Sequence, residues 1–486
     1  MRETKGITLI ALVVTIVILL ILSGITINLV FSENGIIAKA REAAERTNQS
    51  SINEQSELNE INDYMSNMLN EISNGSDTGD LDLPSDGSYS EQKGVNTPNI
   101  KNSNLIPVKW SGDKWLKTTG DDPEWYSYSE KLYANAVLEG TFLEDGTLDE
   151  SSSYSMFVWI PRYAYSITDM YHALGDMSTA GTIEVEFMKG TSNESATGRT
   201  TFQNASGQGN WNIHPAFNYG GEVSGIWVAK FEASQSDASS NTAEYGDYTG
   251  GTSGVLQVKA GVNSWRNITI GEMYSKSINY NTSLNSHLMK NDEWGAVAYL
   301  SRSEYGKTEE VYINNSSEYI TGLSAAIATG TKGEGTSLSY SDSQGVKAST
   351  TGNVTGVYDM NGGSWEYVAA YIDNKSQSLT SYGNSLATGN AETKNAYALG
   401  EGDTQESNYN KIVEKYGDAI YETSNGYADA NGSWYADYAY FPYGDFTFFA
   451  RGGACDNSKE AGVFAFSYSN GDKVNFISFR PTLVVK

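Results

Sequence analysis

Residues that could carry out catalysis or bind a metal are sparse in this sequence. Cys455 is the only cysteine among 486 residues, so neither an intrachain disulfide nor a thiolate metal cluster can form. The three histidines, His172, His214 and His287, are isolated, and none has a partner at the spacing typical of metal ligands. The G-x-S-x-G, P-loop and H-E-x-x-H motifs are also absent. We therefore expect a non-enzymatic protein with no catalytic residues and no metal site.

Composition narrows the partners and the kind of fold. The formal net charge is −27 and no long basic run is present, which argues against nucleic acid because clustered Lys and Arg must neutralise phosphates. The chain holds 49 Gly, 33 Tyr and 10 Trp but only 8 Pro, which favours short strands and long loops. We expect an α+β fold in which an amino-terminal helix precedes a domain of short strands, two helices and long Gly/Ser-rich loops.

Residues 7–31 predict a transmembrane helix. The segment has 25 residues without a charged side chain. As a helix it would span about 37 Å, which exceeds the roughly 30 Å of a hydrocarbon core. Arg2 and Lys5 precede it and Glu33 follows it, which favours an amino terminus inside the cell. We expect a single-pass protein of the cell membrane with its carboxy-terminal domain outside.

The residues around Gly6 say more about this segment. A short basic leader, Gly6 and then Ile7-Thr8-Leu9 with an apolar run resemble the amino terminus of type IV prepilins. The resemblance implies a leader at 1–6 and cleavage by a prepilin peptidase between Gly6 and Ile7. It also departs from the family, because the fifth mature position is Ala11 where classical pilins carry Glu. An uncleaved signal anchor or an ordinary signal peptide remains the alternative.

The rest of the chain divides by composition. Residues 32–73 show apolar residues at helical spacing and predict a stalk helix, and 74–105 predict a flexible linker because few apolar side chains are available for burial. The ectodomain is expected at 106–486. Within it we expect buried strands at 156–165, ending at Pro161, and at 225–232, helices near 270–274 and 292–301, and surface insertions at 233–254, 321–352 and 373–410.

Three separated motifs provide the strongest fold signal. They read E-W-G-A-V-A-Y-L at 293–300, G-V-Y-D-M-N-G-G-S-W-E-Y at 356–367, and A-R-G-G at 450–453 followed by S-F-R-P at 478–481. Their order and spacing resemble the formylglycine-generating-enzyme (sulfatase-modifying-factor) branch of the C-type-lectin fold over roughly 150–486. On this resemblance the residues that hold the fold are Trp294, Asp359, Asn361, Gly362, Trp365, Glu366, Arg451, Gly452, Gly453, Phe479 and Arg480.

Elementary chemistry gives these motifs structural roles. The run Asn361-Gly362-Gly363 suits a tight turn with positive φ. Arg451 and Arg480 are expected partners for buried carboxylates such as Asp359 or Glu366. The oxidase of the resembled family uses a pair of cysteines and its sulfoxide-synthase relatives use histidines, so one cysteine and isolated histidines do not support either metal site. Calcium is compatible with the fold, but no compact ligand run identifies a site.

Residues 432–480 predict a binding segment. They are dense in Tyr, Phe, Ser and Gly, which combine rigid contact area with adaptable hydrogen bonds as in antibody paratopes. The segment resembles the variable carboxy-terminal part of diversity-generating-retroelement target proteins. The resemblance implies display positions at Phe448, Ala450, Ala454, Cys455, Asp456, Ala465, Ser467, Asn475 and Ile477. The alternative is an ordinary lectin-fold core in which the aromatic side chains of this segment are buried.

These expectations combine into one hypothesis and two alternatives. The protein is expected to be a surface-anchored, adhesin-like receptor, diversified by a retroelement, that binds a protein or glycan on another cell, a phage or a host. One alternative is a minor pilin or pseudopilin of a type IV pilus or secretion system, which would use the same anchor in a fibre. The second is a metal-dependent oxidase similar to the formylglycine-generating enzyme.

Overall fold

In a computed structural model the structure describes residues 85–170, 177–236, 254–334 and 338–486. The chain divides into two compact units, Met1–Asp82 and Leu83–Lys486, and the described residues all belong to the second unit, which we call the head. The predicted leader, cleavage site at Gly6 and Ile7, transmembrane helix and stalk helix lie outside the described residues. Among the residues that are described, none of the helices is long and apolar enough to cross a bilayer.

The described part of the head is a mixed α/β structure with few helices and many short strands. Its first strands are β1 (Tyr89–Ser90), β2 (Val95–Asn96), β3 (Ile106–Trp110), β4 (Trp115–Lys117), β5 (Asn135–Leu138), β6 (Ser155–Pro161), β7 (Tyr163–Ile167), β8 (Ile183–Phe187), β9 (Asn212–Ile213), β10 (Gly225–Ala229), β11 (Ala233–Gln235) and β12 (Leu256–Val258). Its later strands are β13 (His287–Leu288), β14 (Leu323–Ser324), β15 (Leu338–Ser339), β16 (Trp365–Ile372), β17 (Asn395–Tyr397), β18 (Ala428–Asp429), β19 (Ala439–Tyr440), β20 (Phe448–Gly452), β21 (Gly462–Ser469), β22 (Ile477–Phe479) and β23 (Pro481–Leu483). The α-helices are α1 (Ile270–Tyr280), α2 (Asn291–Arg302), α3 (Gln377–Ser381), α4 (Asn384–Thr388) and α5 (Gln405–Asn410).

Two larger sheets organise these strands. The first sheet has the order β13-β23-β10-β6-β5-β3-β4, and β12, paired with β11, also joins β6. The second, which we call the carboxy-terminal sheet, has the order β17-β16-β20-β21-β19-β18, with β22 beside β16. Strand β7 lies between β8 and β9 in a smaller sheet, and β1 pairs with β2 and β14 with β15. The predicted binding segment therefore supplies most of the carboxy-terminal sheet.

The apolar runs in the sequence form the central strands of the first sheet. All seven residues of β6 are buried, as are all five of its antiparallel neighbour β10. Their cross-strand pair Trp159 and Trp227 places ring centroids 5.3 Å apart. The strand predicted at 156–165 is interrupted after Pro161, which has no N–H to donate to a ladder, and the chain continues as β7.

Both predicted helices are present and longer than predicted. Helix α1 begins after Thr269, whose hydroxyl accepts from the Glu272 N–H while the Glu272 carboxylate accepts from the Thr269 N–H, a capping box. Helix α2 begins with acidic side chains and ends at Arg302, a charge order that suits the helix dipole. The short helices α3, α4 and α5 occupy the region 373–410, which the sequence presented only as a surface insertion.

The flexible-linker prediction for 74–105 differs from the structure over 85–105. Strand β2 is buried, and the Asn96 side chain donates to the carbonyl oxygens of Gly190 and Ser224 at 3.2 and 2.9 Å. The Asn99 side chain donates to the Val485 carbonyl at 3.1 Å. This segment is ordered by hydrogen bonds to distant parts of the chain together with burial of apolar side chains such as Val95, and composition alone does not reveal such partners.

Candidate functional site

The signature motifs meet around the indole of Trp294 on α2. Its Nε1 donates to the Val463 carbonyl at 2.8 Å, and the guanidinium groups of Arg451 and Arg480 lie 5.7 and 5.8 Å from its ring centroid. Strands β20 and β21 therefore pack on α2 through one aromatic side chain. All eleven residues expected to hold the fold are buried in the structure.

The expected partnership between Arg480 and Glu366 is present. Arg480 Nε donates to Glu366 Oε2 at 2.7 Å, its Nη2 contacts the other carboxylate oxygen, and both side chains are 1% exposed. Arg480 also donates to the carbonyls of Ala229 and Tyr358, each at 3.0 Å. The pair thus links the end of the chain to β10 of the first sheet and to the motif at 356–367.

The expected pairing of Arg451 with a carboxylate is wrong. Its guanidinium donates to Asn291 Oδ1 at 2.9 Å and to the carbonyls of Asp418, Ala419 and Ala465 at 2.9 to 3.0 Å. Burial lowers the pKa of Arg451 to about 10. Carbonyl oxygens of the loop at 418–419, whose position the sequence did not predict, occupy the place where a carboxylate was expected.

Asp359 organises the turn that follows it. Its carboxylate accepts from the Gly322 N–H at 2.9 and 3.0 Å and from Asn314 Nδ2 at 2.9 Å. The predicted turn is present, with φ of 75° at Gly362 and 68° at Gly363. The Asp359 carboxylate is thus occupied by structural hydrogen bonds.

The candidate catalytic groups occupy buried structural positions. His287 Nε2 lies 2.8 Å from Glu293 Oε1 in the core, and burial lowers the pKa of His214 to about 3. Burial also raises the pKa of the Cys455 thiol to about 12, which disfavours a reactive thiolate. His172 lies outside the described residues. In the described ranges, His, Cys, Asp and Glu side chains form no group of three or more placed to hold a metal.

Five of the nine expected display positions share one face of the carboxy-terminal sheet. Cross-strand partners lie on the same face, and Ala450 pairs with both Tyr367 and Ser467. Ile477 pairs with Trp365, which is two residues from Tyr367 and so also on that face. By the same alternation Phe448 and Ala465 join them. We call this side of the sheet the display face.

Six of the nine positions are nevertheless buried and do not form a displayed surface. They are Phe448, Ala450, Ala454, Cys455, Ala465 and Ile477. Asp456 is exposed, and Ser467 and Asn475 are half-buried.

The burial has a physical cause in the strand order. Trp365 on β16 and Tyr438 beside β19 are separated by β20 and β21, yet their ring centroids lie 5.8 Å apart. The two rings therefore meet above the intervening strands, on the face that carries Ala450 and Ala465. Phe448 is covered differently, because its ring packs against the backbone at Gly383.

A row of aromatic side chains borders this face and reaches solvent. We call Tyr438, Tyr440, Tyr443, Phe446 and Tyr468 the aromatic row. The tyrosines are half-buried and Phe446 is 42% exposed. Ring centroids are separated by 5.1 Å between Tyr438 and Tyr440, 6.1 Å between Tyr440 and Tyr468, and 5.3 and 5.2 Å from Tyr468 to Tyr443 and Phe446.

The rings are held by rigid backbone. Tyr443 and Phe446 exchange backbone hydrogen bonds of 3.0 and 2.9 Å across a tight turn, in which Gly444 has a φ of 54°. The Asn374 side chain donates to the Gly444 carbonyl at 2.7 Å and fixes the turn to the end of β16. Sequence reasoning identified this segment but not these positions; the turn residues between two aromatic side chains were the signal that could have found them.

The larger surface cavities do not involve the expected display positions. A cavity of about 450 Å³ lies between α1 and α4 and is lined by Thr269, Ser275 and Ser385 among others. Another of about 520 Å³ lies near the carboxy terminus beside Gly221 and Lys486. No residue of the segment 432–480 lines either of these two cavities.

No family model matches the chain, and no curated protein matches it. The resemblances to prepilins, to the formylglycine-generating-enzyme branch and to retroelement target proteins consequently depend on the quoted motifs alone.

Proposed function

We propose that the head is a non-enzymatic ligand-binding module of a membrane-anchored, receptor-like protein. The observation that carries the proposal is the aromatic row, in which five rings in mutual contact remain partly exposed at the edge of a buried sheet. Contiguous exposed apolar surface on a folded head is typical of interaction sites. Aromatic anchors supply much of the binding energy in known interfaces.

Rigidity supports the same conclusion. Each tyrosine contacts at least one neighbouring ring, so few rotamers are lost when a ligand covers the row. Tyrosine combines an apolar ring with a hydroxyl, which suits surfaces that are wet before binding and partly dry afterwards. The fold therefore offers a preorganised contact surface without a chemical step.

The groups that could act as acids, bases or nucleophiles are occupied elsewhere. Glu366 is paired with Arg480, Asp359 accepts three kinds of structural hydrogen bond, and Cys455 is a buried thiol. This arrangement favours binding over an oxidase reaction.

The anchor and the diversification are proposed from sequence. Residues 7–31 would hold the protein in the cell membrane, with the head outside, and the prepilin-like leader keeps association with a pilus open as an alternative. Five of the expected display positions lie on the display face, which supports retroelement diversification. Most of these five positions are buried, which counts against diversification. An adjacent reverse-transcriptase gene and an imperfect adenine-mismatched repeat of the segment would support diversification, and their absence would leave a receptor of fixed specificity.

The proposed function is tested by selecting ligands on the intact protein. A phage-displayed random heptapeptide library and an array of neutral glycans are presented to the full-length chain in lipid nanodiscs. The double variant Tyr438→Ala/Tyr440→Ala removes two adjacent rings, and Tyr89→Ala, which changes a half-buried tyrosine on β1, serves as the matched control.

We expect selected binders to bind the double variant at least tenfold more weakly than the wild type and to retain their affinity for the control. Removing one packed aromatic anchor typically reduces the binding free energy by more than 1 kcal/mol, about a factor of five in affinity. Near-native circular dichroism of the double variant excludes misfolding as the cause. If no peptide or glycan distinguishes the wild type from the double variant, the proposal is wrong.

A further inference from the structure

We propose that the aromatic row recognises Arg or Lys side chains of a polypeptide partner, through cation–π contacts with the rings and ion pairs with adjacent carboxylates. This inference rests on the proposed function and names the ligand class of the same surface. It follows from the charges around the rings and from the absence of an internal cation above them.

Within the described part of the head, no cation lies over a ring of the row, although many other rings carry one. Lys93 lies 5.0 Å from the Tyr126 ring centroid, Arg199 lies 4.1 Å from Trp211, and Lys347 lies 5.2 Å from Tyr312. For the residues that the structure describes, no such contact involves a ring of the aromatic row. These rings therefore retain a site for an external cation within the usual range of about 6 Å from a ring centroid.

Carboxylates lie on both sides of the row. Burial raises the pKa of Tyr438, and the negative charges of Glu460 and Asp456 add to that rise, which places both carboxylates in its electrostatic environment. The Tyr438 N–H also donates to the Glu460 carbonyl at 2.9 Å. At the other end, exposed Asp445 lies at the tip of the turn between Tyr443 and Phe446.

This pairing of rings with carboxylates matches a cation better than a neutral ligand. The negative side of a ring's π-system and a carboxylate both attract Arg or Lys, whereas a neutral sugar donates hydrogen bonds to a carboxylate but carries no positive charge to pair with it. The chain as a whole carries a formal charge of −27, which steers cationic partners and repels acidic ones. Exposed Lys459, between Asp456 and Glu460 in sequence, is a local charge of opposite sign and provides a useful control.

The test uses short peptides and the full-length chain in lipid nanodiscs. The probes are an acetylated, amidated peptide of four Arg-Gly repeats, its Gln-Gly counterpart and neutral cellotetraose, measured by calorimetry in about 0.15 M salt, where long-range charge effects are largely screened. Tyr438→Leu/Tyr440→Leu removes π-systems but keeps apolar bulk. Asp456→Asn/Glu460→Gln removes charge while preserving shape.

Matched controls separate the site from general acidity. Glu130→Gln/Glu184→Gln makes the same change of charge at exposed positions outside the aromatic row. Lys459→Gln changes charge in the opposite direction and lies next to Glu460 in the sequence. We expect the wild type to bind the Arg peptide about tenfold more tightly than the Gln peptide. Relative to the wild type, the Arg peptide should bind roughly fivefold more weakly to either site variant, somewhat more tightly to Lys459→Gln, and equally to the distant control.

The outcomes separate this inference from the proposed function. If the Gln peptide or cellotetraose binds as tightly as the Arg peptide and depends on the two tyrosines, the cation inference is wrong and the binding function stands. If the Arg peptide binds equally to the tyrosine variant and to the wild type, its affinity reflects general acidity and the inference is also wrong. If no probe here and no ligand from the library or the array depends on the rings, both proposals fall.

Discussion

Glu422 offers a test of how the head handles a buried charge. Its carboxylate is 1% exposed, and Oε2 accepts from Tyr165 OH at 2.7 Å, Tyr299 OH at 2.9 Å and the Gly417 N–H at 2.7 Å. Burial raises the pKa of Glu422 to about 7, although these hydrogen bonds oppose the rise. The perturbation we consider is Glu422→Gln, a neutral side chain of nearly the same shape.

The sign and size follow from the two pKa values. Because the pKa of Glu422 is higher in the folded protein than the usual 4.5, the folded state binds more protons than the unfolded state between these values. The stability associated with Glu422 is therefore fully present below about pH 4.5, falls as pH rises, and is lost above about pH 7. At ~1.4 kcal/mol per pKa unit, the loss is about 3 kcal/mol.

The Gln variant should lack this loss. Urea unfolding of the full-length chain in detergent, followed by tryptophan fluorescence, gives the free energy of unfolding at pH 5 and pH 8. We expect the free energy of unfolding of Glu422→Gln, relative to that of the wild type, to be about 2–3 kcal/mol higher at pH 8 than at pH 5. Glu184→Gln, at an exposed position on β8, should follow the wild type at both pH values.

A particular result would refute the reasoning. If the wild type and Glu422→Gln show parallel changes in unfolding free energy between pH 5 and pH 8, Glu422 does not titrate in that range on folding. The comparison of variants is required because burial also raises the pKa of Glu366 to about 7, and that group contributes its own pH dependence to both proteins.

Three further predictions concern the motifs around the site. Arg480→Met should lower the unfolding free energy by about 3–5 kcal/mol, because it leaves the Glu366 carboxylate buried and unpaired. The double variant Arg480→Met/Glu366→Gln should recover part of this loss, and a loss below about 1 kcal/mol for Arg480→Met would contradict the role of the pair. Gly362→Ala should lower the unfolding free energy by about 3 kcal/mol or more, since at a φ of 75° the new Cβ would lie 2.3 Å from a side-chain carbon. Gly94→Ala, at a φ of 65° with no atom within 4 Å of the new Cβ, should lower it by only about 1 kcal/mol. Equal losses would show that backbone strain, and not the close contact, determines the destabilisation. Cys455 should react with a maleimide at pH 8 only after unfolding in urea, because its thiol is buried with a pKa raised to about 12; rapid labelling of the native chain would contradict this burial.

Local signals in the sequence predicted local structure well. The helices near 270–274 and 292–301 and the Asn361-Gly362-Gly363 turn are all present, because each depends on residues within one or two turns of the chain. The pairing of Arg480 with Glu366 was also predictable, since a buried arginine and a buried carboxylate in one motif set have few other partners.

Long-range contacts were not predictable in the same way. Arg451 is satisfied by carbonyls near Asp418, and residues 85–105 are ordered through contacts such as that of Asn99 with Val485. Nothing in the composition of either segment indicates its distant partner. Ala450 illustrates the same point, since two-residue alternation places it on a face of the sheet but does not say what covers that face.

The sequence by itself determined the charge of the chain, its apolar amino-terminal segment, its turns and caps, and the alternation that assigns strand residues to faces. The tertiary structure decided which of those faces is open to solvent. Exposure depends on which side chains from other strands pack above a residue, as Trp365 and Tyr438 do over β20 and β21. For that reason most of the positions that the resemblance selected are buried, whereas the rings of the aromatic row reach solvent.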